Sequence, residues 1–224
     1  MVERKRRFTV AIITALLIIG GALYTQLQEQ QTDEVIKDSS IGKTLETLPI
    51  KGRAPKTNYS RDQFGGDWST TLGCDTRNRI LQRDLKDISY DEDNCKINNG
   101  ILHDPYTNKQ ITFARGKSTS SAVQIDHVVA LSDAWQKGAQ QLTYEERVEL
   151  ANDGLNLLAV DGPANMQKSD GDAATWLPPH KAFRCQYVSR QVSVKKKYEL
   201  WVTQAEHDAM KNIIADCPKT KLSS

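Results

Sequence analysis

The chain of 224 residues is 38% hydrophobic and 26% charged, a composition that fits one globular domain with appendages and argues against two full domains. Its formal net charge of +2 and its pI near 8.3 are too mild to identify a nucleic-acid-binding protein, because the overall balance conceals any local patch. Charge therefore permits a polyanionic partner without requiring one.

The first 24 residues have the pattern of an export segment. Four cations at 4–7 precede an uncharged run over 8–24, which is typical of a signal peptide or a signal anchor. The run is slightly long for a signal peptide and barely long enough to span a bilayer. Gly20 and Ala22 offer small residues for cleavage, so cleavage and retention as a membrane tether both stay open. In either case we expect the rest of the chain to be extracytoplasmic, either secreted or anchored to the cell membrane.

Residues 25–58 are predicted to be a flexible linker. They are rich in Gln, Thr, Ser, Lys and Glu with little apolar periodicity, so they offer little surface to bury against the entropy of ordering. The folded domain is expected over 59–224, beginning near Tyr59, where Phe64 and Trp68 stand among turn glycines.

Export also changes the interpretation of the cysteines. In an oxidising compartment an even set predicts two disulfides, for which three pairings are possible. The set is Cys74, Cys95, Cys185 and Cys217. Local geometry favours pairing the first with the second and the third with the fourth. None of the spacings is that of a structural zinc site.

A helix and a small β region are predicted at the start of the domain. Asp75 is a helix N-cap candidate, and Leu81, Leu85 and Ile88 recur at helical spacing, which predicts an amphipathic helix over 76–89. Residues 97–113 contain turn signals between short strand candidates. We expect small β structure there.

The centre of the chain predicts a strand, a connection, a second strand and a short helix. Asp126-His127 lies in the first strand candidate, Asn156 begins the second, and Asn165 lies in the short helix. Adjacent strand residues point to opposite faces, so Asp126 and His127 can meet at one ion only if the strand ends or twists there.

Further helices are predicted around and after this unit. A capping box starting at Thr143 opens a helix between the two motif strands. Helices over 181–198 and 203–216 are expected to pack as an antiparallel pair, which would bring the last two cysteines together.

The polar residues of the central unit suit metal-assisted hydrolysis of a phosphodiester. His127 can act as the base, since its ordinary pKa near 6.5 leaves it largely neutral. Asp126 and the Asn165 carbonyl supply hard oxygen ligands, which suit Mg²⁺ or Mn²⁺. Lys168, one turn after Asn165, is placed to contact a phosphate. Asn156 is expected to fix the hairpin around His127.

Two further cations precede the first motif strand. Arg115 and Lys117 lie in a segment rich in Gly, Ser and Thr, where cations and backbone amides can bind nucleic-acid phosphates. A solvated loop is the alternative interpretation.

Asp126-His127, Asn156 and Asn165 resemble the motif of the HNH, or ββα-metal, endonucleases, also called His-Me finger nucleases. The nine-residue step from Asn156 to Asn165, with Lys168 three residues further on, looks like the HNH domain of RNA-guided DNA nucleases. A wider set of segments is similar to a secreted bacterial subfamily once described only as a domain of unknown function. These segments are Tyr59-Ser60-Arg61-Asp62, Cys74-Asp75-Thr76-Arg77, Trp176-Leu177-Pro178-Pro179 and Arg184-Cys185.

The resemblance implies an α+β fold in which a ββα-metal core carries additional helices and small β structure and is stapled by two disulfides. It implies His127 as general base and Asp126 with Asn165 as metal ligands. The expected protein is a monomeric metal-dependent endonuclease that cuts nucleic acid, with DNA favoured and low sequence specificity. Two alternatives stay open: a non-catalytic cell-surface binding module on the same fold, and a metal hydrolase of another phosphodiester.

Overall fold

The computed structural model describes residues 2–92, 94–217 and 219–223, with the backbone alone over 2–16. It has the predicted mixed α+β fold. The helices are α1 (Val2–Asp38), α2 (Ser40–Leu45), α3 (Thr76–Asp84), α4 (Leu131–Gln136), α5 (Tyr144–Asn152), α6 (Gly162–Lys168), α7 (Arg184–Lys197) and α8 (Gln204–Ala215). The strands are β1 (Thr70–Thr71), β2 (Cys74–Asp75), β3 (Leu85–Tyr90), β4 (Ile97–His103), β5 (Gln110–Ala114), β6 (Val123–His127) and β7 (Leu157–Asp161). Short 3-10 helices span Arg61–Phe64, Ser120–Ala122, Ala139–Gln141 and Lys181–Phe183.

The segment predicted as a flexible linker over 25–58 is packed on the domain for much of its length. Ile36, Ile41, Leu45 and Leu48 are buried in one cluster with apolar side chains of α7 and α8. The end of α1, the short α2 and the turn after it each contribute to this set, so its spacing follows no single period. The folded domain therefore starts near Ile36, well before the predicted start at residue 59.

The structure describes only part of the predicted export segment over 1–24. In the parts of the chain that the structure covers, no helix combines the length and the apolar character needed to cross a bilayer. The side chains of 2–16 lie outside the described residues, so the signal peptide or anchor over 1–24 stays a prediction.

The helix predicted over 76–89 is shorter than expected. Helix α3 ends at Asp84, and Leu85 already has extended dihedral angles. Residues 85–90 instead form β3, which pairs antiparallel with β4 around an irregularity near Asp87, where φ is 48°. The apolar spacing misled the prediction because Leu85 and Ile88 pack from a bulged strand at intervals that resemble a helical face.

The small β structure predicted over 97–113 is confirmed. Strands β4 and β5 pair antiparallel, with Leu102 opposite Ile111, and complete a sheet of order β3-β4-β5. Buried Ile97 and Phe113 join this sheet to the central unit through a shared apolar cluster that includes Val123 of β6.

The central unit has the predicted order of elements. Strands β6 and β7 pair antiparallel, with Asp126 opposite Leu158 and His127 opposite Leu157. Helix α5 lies between them in sequence and begins with the predicted capping box at Thr143. Helix α6 follows β7 directly, with the Asp161 side chain accepting a hydrogen bond from the backbone of its first turn. Strand β6 ends at His127, which meets the condition for Asp126 and His127 to approach the same ion.

Both predicted disulfides form. The Cα atoms of Cys74 and Cys95 are 5.5 Å apart. Those of Cys185 and Cys217 are 5.9 Å apart, where the first residue lies in the first turn of α7 and the second follows the end of α8. The two helices contact each other, so this bridge joins their ends.

We expect the Cys185→Ser, Cys217→Ser double variant to lose about 2–4 kcal/mol of unfolding free energy, because removing a cross-link restores entropy to the unfolded chain. Urea unfolding followed by circular dichroism measures the change. The variant keeps the Cys74–Cys95 disulfide. Comparing its oxidised and reduced forms therefore measures the contribution of that bridge separately. A midpoint equal to that of the unmodified protein would show that the bridge contributes no stability.

A network of charged side chains joins residues 46–69, called the N-terminal segment below, to α4, α7 and α8. Its members are Arg53, Lys137 and Lys195 with Asp133, Asp172 and Glu206. Three cations face three anions, so the network is formally neutral. The Lys137 ammonium lies at its centre and contacts all three carboxylates at 2.6–2.8 Å.

Acid is expected to weaken this network through Asp172. Burial alone would raise the pKa of Asp172, but the hydrogen bond and charge of Lys137 and the charge of Arg53 lower it from 3.8 to about 2. A pKa lowered on folding gives stability that is present above the unfolded value and lost as the pH falls through the folded one, here about 2 kcal/mol. The difference in unfolding free energy between the protein and Asp172→Asn should therefore shrink between pH 6 and pH 2. A difference independent of pH would contradict this.

Candidate functional site

One cavity of about 320 Å³ brings the predicted catalytic and metal-binding residues together. Asp126, His127 and Asn165 line it from β6 and α6. Lys56, Tyr59 and Arg61 line the same cavity from the N-terminal segment. Asp126 and His127 are adjacent at the end of β6, and the side chains of both border this cavity.

The Asp126 carboxylate is buried and held at both oxygens. Its Oδ1 accepts a hydrogen bond from the Lys168 ammonium at 2.9 Å, and its Oδ2 accepts one from the Tyr106 hydroxyl. Burial raises the pKa of Asp126 above 3.8, although the charge of Lys168 and the bond from Tyr106 oppose this. The carboxylate therefore has a fixed orientation, set from α6 on one side and from the loop after β4 on the other.

The structure corrects the predicted role of Lys168. Its ammonium is fully buried, where it donates to Asp126 and to the backbone carbonyl of His127 at 2.8 Å. Asn165 and Lys168 do share a face of α6, as their spacing predicts, but the lysine stem leads into the protein. Lys168 is thus a counter-ion of Asp126, and its ammonium is not exposed to solvent where a substrate phosphate would approach.

The His127 ring is held in one orientation and one tautomer. Its Nε2 lies 2.9 Å from the Ala151 carbonyl oxygen at the end of α5, and because a carbonyl only accepts, Nε2 must carry the proton. The ring stacks on Trp68 with centroids 5.5 Å apart and an interplanar angle of 9°. Burial, with the charges of Arg61 and Lys168, lowers the pKa of His127 to about 3. The neutral ring therefore offers Nδ1 as an acceptor.

The Asn156 side chain ties the two motif strands together next to His127. Its Oδ1 accepts from the Val129 backbone N–H at 2.8 Å. Its Nδ2 lies 3.3 Å from the carbonyl oxygens of Val129 and Leu150. Asn156 is fully buried, so these bonds satisfy its amide within the protein. This is the geometry that its predicted hairpin-fixing role requires.

The Asn165 amide is oriented towards the cavity by its neighbour in β6. Its Nδ2 donates one hydrogen bond to Gln124 Oε1 at 2.9 Å, and its carbonyl oxygen is the atom that could bind a metal ion. Asp126 and Asn165 thus present one anionic and one neutral oxygen donor at the same cavity.

The two loop cations do not join this site. The Arg115 guanidinium donates to the Ile97 carbonyl at 2.8 Å and to Asn78 Oδ1 at 2.5 Å, so it ties β5 to β4 and α3. Lys117 is exposed, and neither residue lines the cavity that holds Asp126 and His127. Two of the Arg115 donors are used within the fold, and nucleic-acid binding by Arg115 and Lys117 stays a prediction.

A divalent ion fits the donor set. Within the described residues, no group of three or more His, Cys, Asp and Glu side chains could hold a metal, so an ion would combine Asp126 and Asn165 with water and substrate oxygens. Mg²⁺ prefers such sites, with one or two carboxylates and several waters. Each Asp126 oxygen accepts one hydrogen bond and keeps a second lone pair for a metal.

Three residues at the site were not predicted from the sequence: Arg61, Trp68 and Tyr106. Tyr106 lies in a turn that predicts only a chain reversal, and its contact with Asp126 depends on the packing of the whole sheet. Arg61 and Trp68 precede the motif by more than fifty positions, in a segment that predicts only the domain start. The available signal was the segment Tyr59-Ser60-Arg61-Asp62, which belongs to the wider resemblance to the secreted subfamily.

The chain is similar to one family model and to one curated relative. A family model described as "GmrSD restriction endonucleases, C-terminal domain" matches residues 75–213, a range that includes β6, β7 and α6. A protein of Arthroderma benhamiae, described as an uncharacterized secreted protein, is 36% identical over 182 residues, which cover 80% of this chain and 85% of the relative. No solved structure matches the chain.

Proposed function

The chain belongs to the family of the C-terminal domain of GmrSD restriction endonucleases, and on this premise we propose that it is an extracytoplasmic, metal-dependent endonuclease that hydrolyses phosphodiester bonds in DNA. One observation carries the proposal. His127 is held by the Ala151 carbonyl with Nδ1 as its acceptor, in the cavity that also contains Asp126 and Asn165. A base beside two hard oxygen donors is the arrangement that metal-assisted hydrolysis needs.

His127 is the general base in this proposal. Its Nδ1 accepts a proton from water, the water oxygen attacks phosphorus, and the bond from phosphorus to the 3′ oxygen breaks. The Ala151 carbonyl stabilises the imidazolium that forms, because it already accepts from Nε2. Trp68 covers one face of the ring and restricts its rotation. Asn156 fixes the backbone that follows His127.

Asp126 and Asn165 are the residues that would hold the ion. Bound Mg²⁺ or Mn²⁺ would supply positive charge for the phosphate and the leaving oxygen. Tyr106 and Lys168 keep the Asp126 carboxylate in position. Lys168 also offsets its charge, so we expect weak affinity for the free ion and tighter binding once substrate phosphate contributes oxygens.

Two observations support action outside the cytoplasm. Both disulfides belong to an oxidising compartment. The relative is described as secreted. Extracellular nucleic acid is the substrate that such a location offers.

The test compares three phosphodiesters in one assay. Purified protein is incubated with supercoiled plasmid DNA, with RNA and with a cell-envelope phosphodiester polymer, in the presence of Mg²⁺ or Mn²⁺ and with a chelator. We expect metal-dependent nicking of DNA that the chelator stops. Cleavage of the polymer alone would point to a different hydrolase, and metal-independent binding without cleavage of any substrate would point to a binding module.

A further inference from the structure

Arg61 occupies the junction of two cavities beside the candidate base. Together with His127 and Leu131 it lines both the cavity that contains Asp126 and a second one of about 240 Å³ that extends towards Trp68. Of these three residues, Arg61 is the cation, and it comes from the 3-10 helix Arg61–Phe64, whereas Asp126 and Asn165 come from β6 and α6. A phosphate bound next to His127 would therefore share one cavity with Arg61 and the two oxygen donors.

The backbone that carries Arg61 is held rigidly. It begins the 3-10 helix Arg61–Phe64, whose Gln63 accepts two hydrogen bonds from the Arg147 guanidinium of α5, at 2.8 and 3.2 Å. Phe64 is buried, with its ring 6.1 Å from that of Trp135. Helix α5 also supplies the Ala151 carbonyl that orients His127. One helix thus fixes both the base and the support of the arginine.

The guanidinium of Arg61 is available to a ligand. Its side chain is exposed, and among the residues that the structure describes it takes part in no ion pair. Arg53 and Arg147 nearby are different, because their guanidinium groups bind carboxylates and backbone carbonyls of the protein.

We propose that Arg61 is a second catalytic residue, which binds the non-bridging oxygens of the phosphate that His127-activated water attacks. This inference rests on the proposed nuclease function. A guanidinium matches two phosphate oxygens with parallel hydrogen bonds. As the oxygen of water bonds to phosphorus and the bond to the 3′ oxygen breaks, negative charge grows on those oxygens. Arg61 stabilises that charge and transfers no proton.

The test measures kcat and KM for plasmid nicking in Mg²⁺ with the full chain and three variants. Arg61→Ala is expected to lower kcat about 100-fold with little change in KM, because the contact strengthens in the transition state. Arg61→Lys keeps the charge without the bidentate geometry and should recover part of the loss. Arg79→Ala removes an equal charge from an exposed position of α3 that lines neither cavity, and should match the unmodified protein.

The outcomes separate this inference from the function on which it rests. If the unmodified protein does not cleave nucleic acid, both proposals fail. If it does, and Arg61→Ala keeps its kcat, then Arg61 alone is wrongly assigned, whether or not KM rises. Thermal unfolding of each variant serves as the control for structure. A kcat loss in Arg61→Ala that comes with an unchanged unfolding temperature and a partial recovery in Arg61→Lys supports the catalytic role.

Discussion

Replacing His127 by alanine is expected to slow metal-dependent DNA cleavage by about 10²–10⁴-fold, the range that positioned acid–base groups contribute. The variant loses Nδ1, the acceptor nitrogen of the ring, and leaves the Ala151 carbonyl without its donor. An unsatisfied buried carbonyl costs about 1–3 kcal/mol, so the variant should stay folded while its activity falls.

His127→Gln provides the matched control for the lost hydrogen bond. A glutamine can direct its side-chain N–H to the Ala151 carbonyl, but its amide has no basic nitrogen. We therefore expect both variants to be inactive, with His127→Gln unfolding at a higher temperature than His127→Ala. Initial nicking rates with Mg²⁺ and unfolding temperatures give the comparison. Activity in the glutamine variant close to that of the unmodified protein would remove His127 from the chemistry.

The central unit could be predicted because its local signals agree. Each element follows short-range sequence rules. These elements are the strand candidates at Asp126-His127 and Asn156, the helix opened by the capping box at Thr143, and the helix carrying Asn165. The strands pair as antiparallel neighbours although residues 128–156 lie between them, and α6 follows β7 directly. The disulfides could also be predicted, because their partners are only 21 and 32 positions apart.

The linker and Lys168 predictions failed because contacts between residues far apart in sequence determine the burial of these residues. The apolar residues from Ile36 to Leu48 belong to a core completed by α7 and α8, at the other end of the chain. The partners of Lys168 could not be foreseen either, because helical spacing fixes the face of a side chain but not whether that face meets solvent. In the same way, tertiary contacts bring Tyr106 to Asp126 and Arg61 to the cavity.

The buried ion network gives the largest effect expected on stability. Lys137 is fully buried and contacts Asp133, Asp172 and Glu206. Removing it would leave three carboxylates facing two cations in a region shielded from water. Breaking a buried ion pair from one side costs about 3–5 kcal/mol, because the remaining charge has lost its compensation. For a chain of this size that loss corresponds to a fall of roughly 10 °C in unfolding temperature.

Lys137→Met is therefore compared with Lys197→Met. Lys197 also pairs with two carboxylates, Glu149 and Asp153, but its side chain is 45% exposed. An ion pair in contact with solvent contributes about 0–1 kcal/mol, so the control should unfold within a few degrees of the unmodified protein. Urea unfolding at pH 7 measures both variants. Equal losses in the two variants would show that burial adds nothing to the network.

The same variant tests whether the N-terminal segment depends on the network. Arg53 joins Asp133 and Asp172, and a few residues later the chain supplies Lys56 and Arg61 to the cavity. If the network holds this segment in place, Lys137→Met should expose the residues around Arg53 to proteolysis below the unfolding temperature, whereas Lys197→Met should not. Equal protection in both variants would mean that the apolar contacts of the segment suffice to hold it.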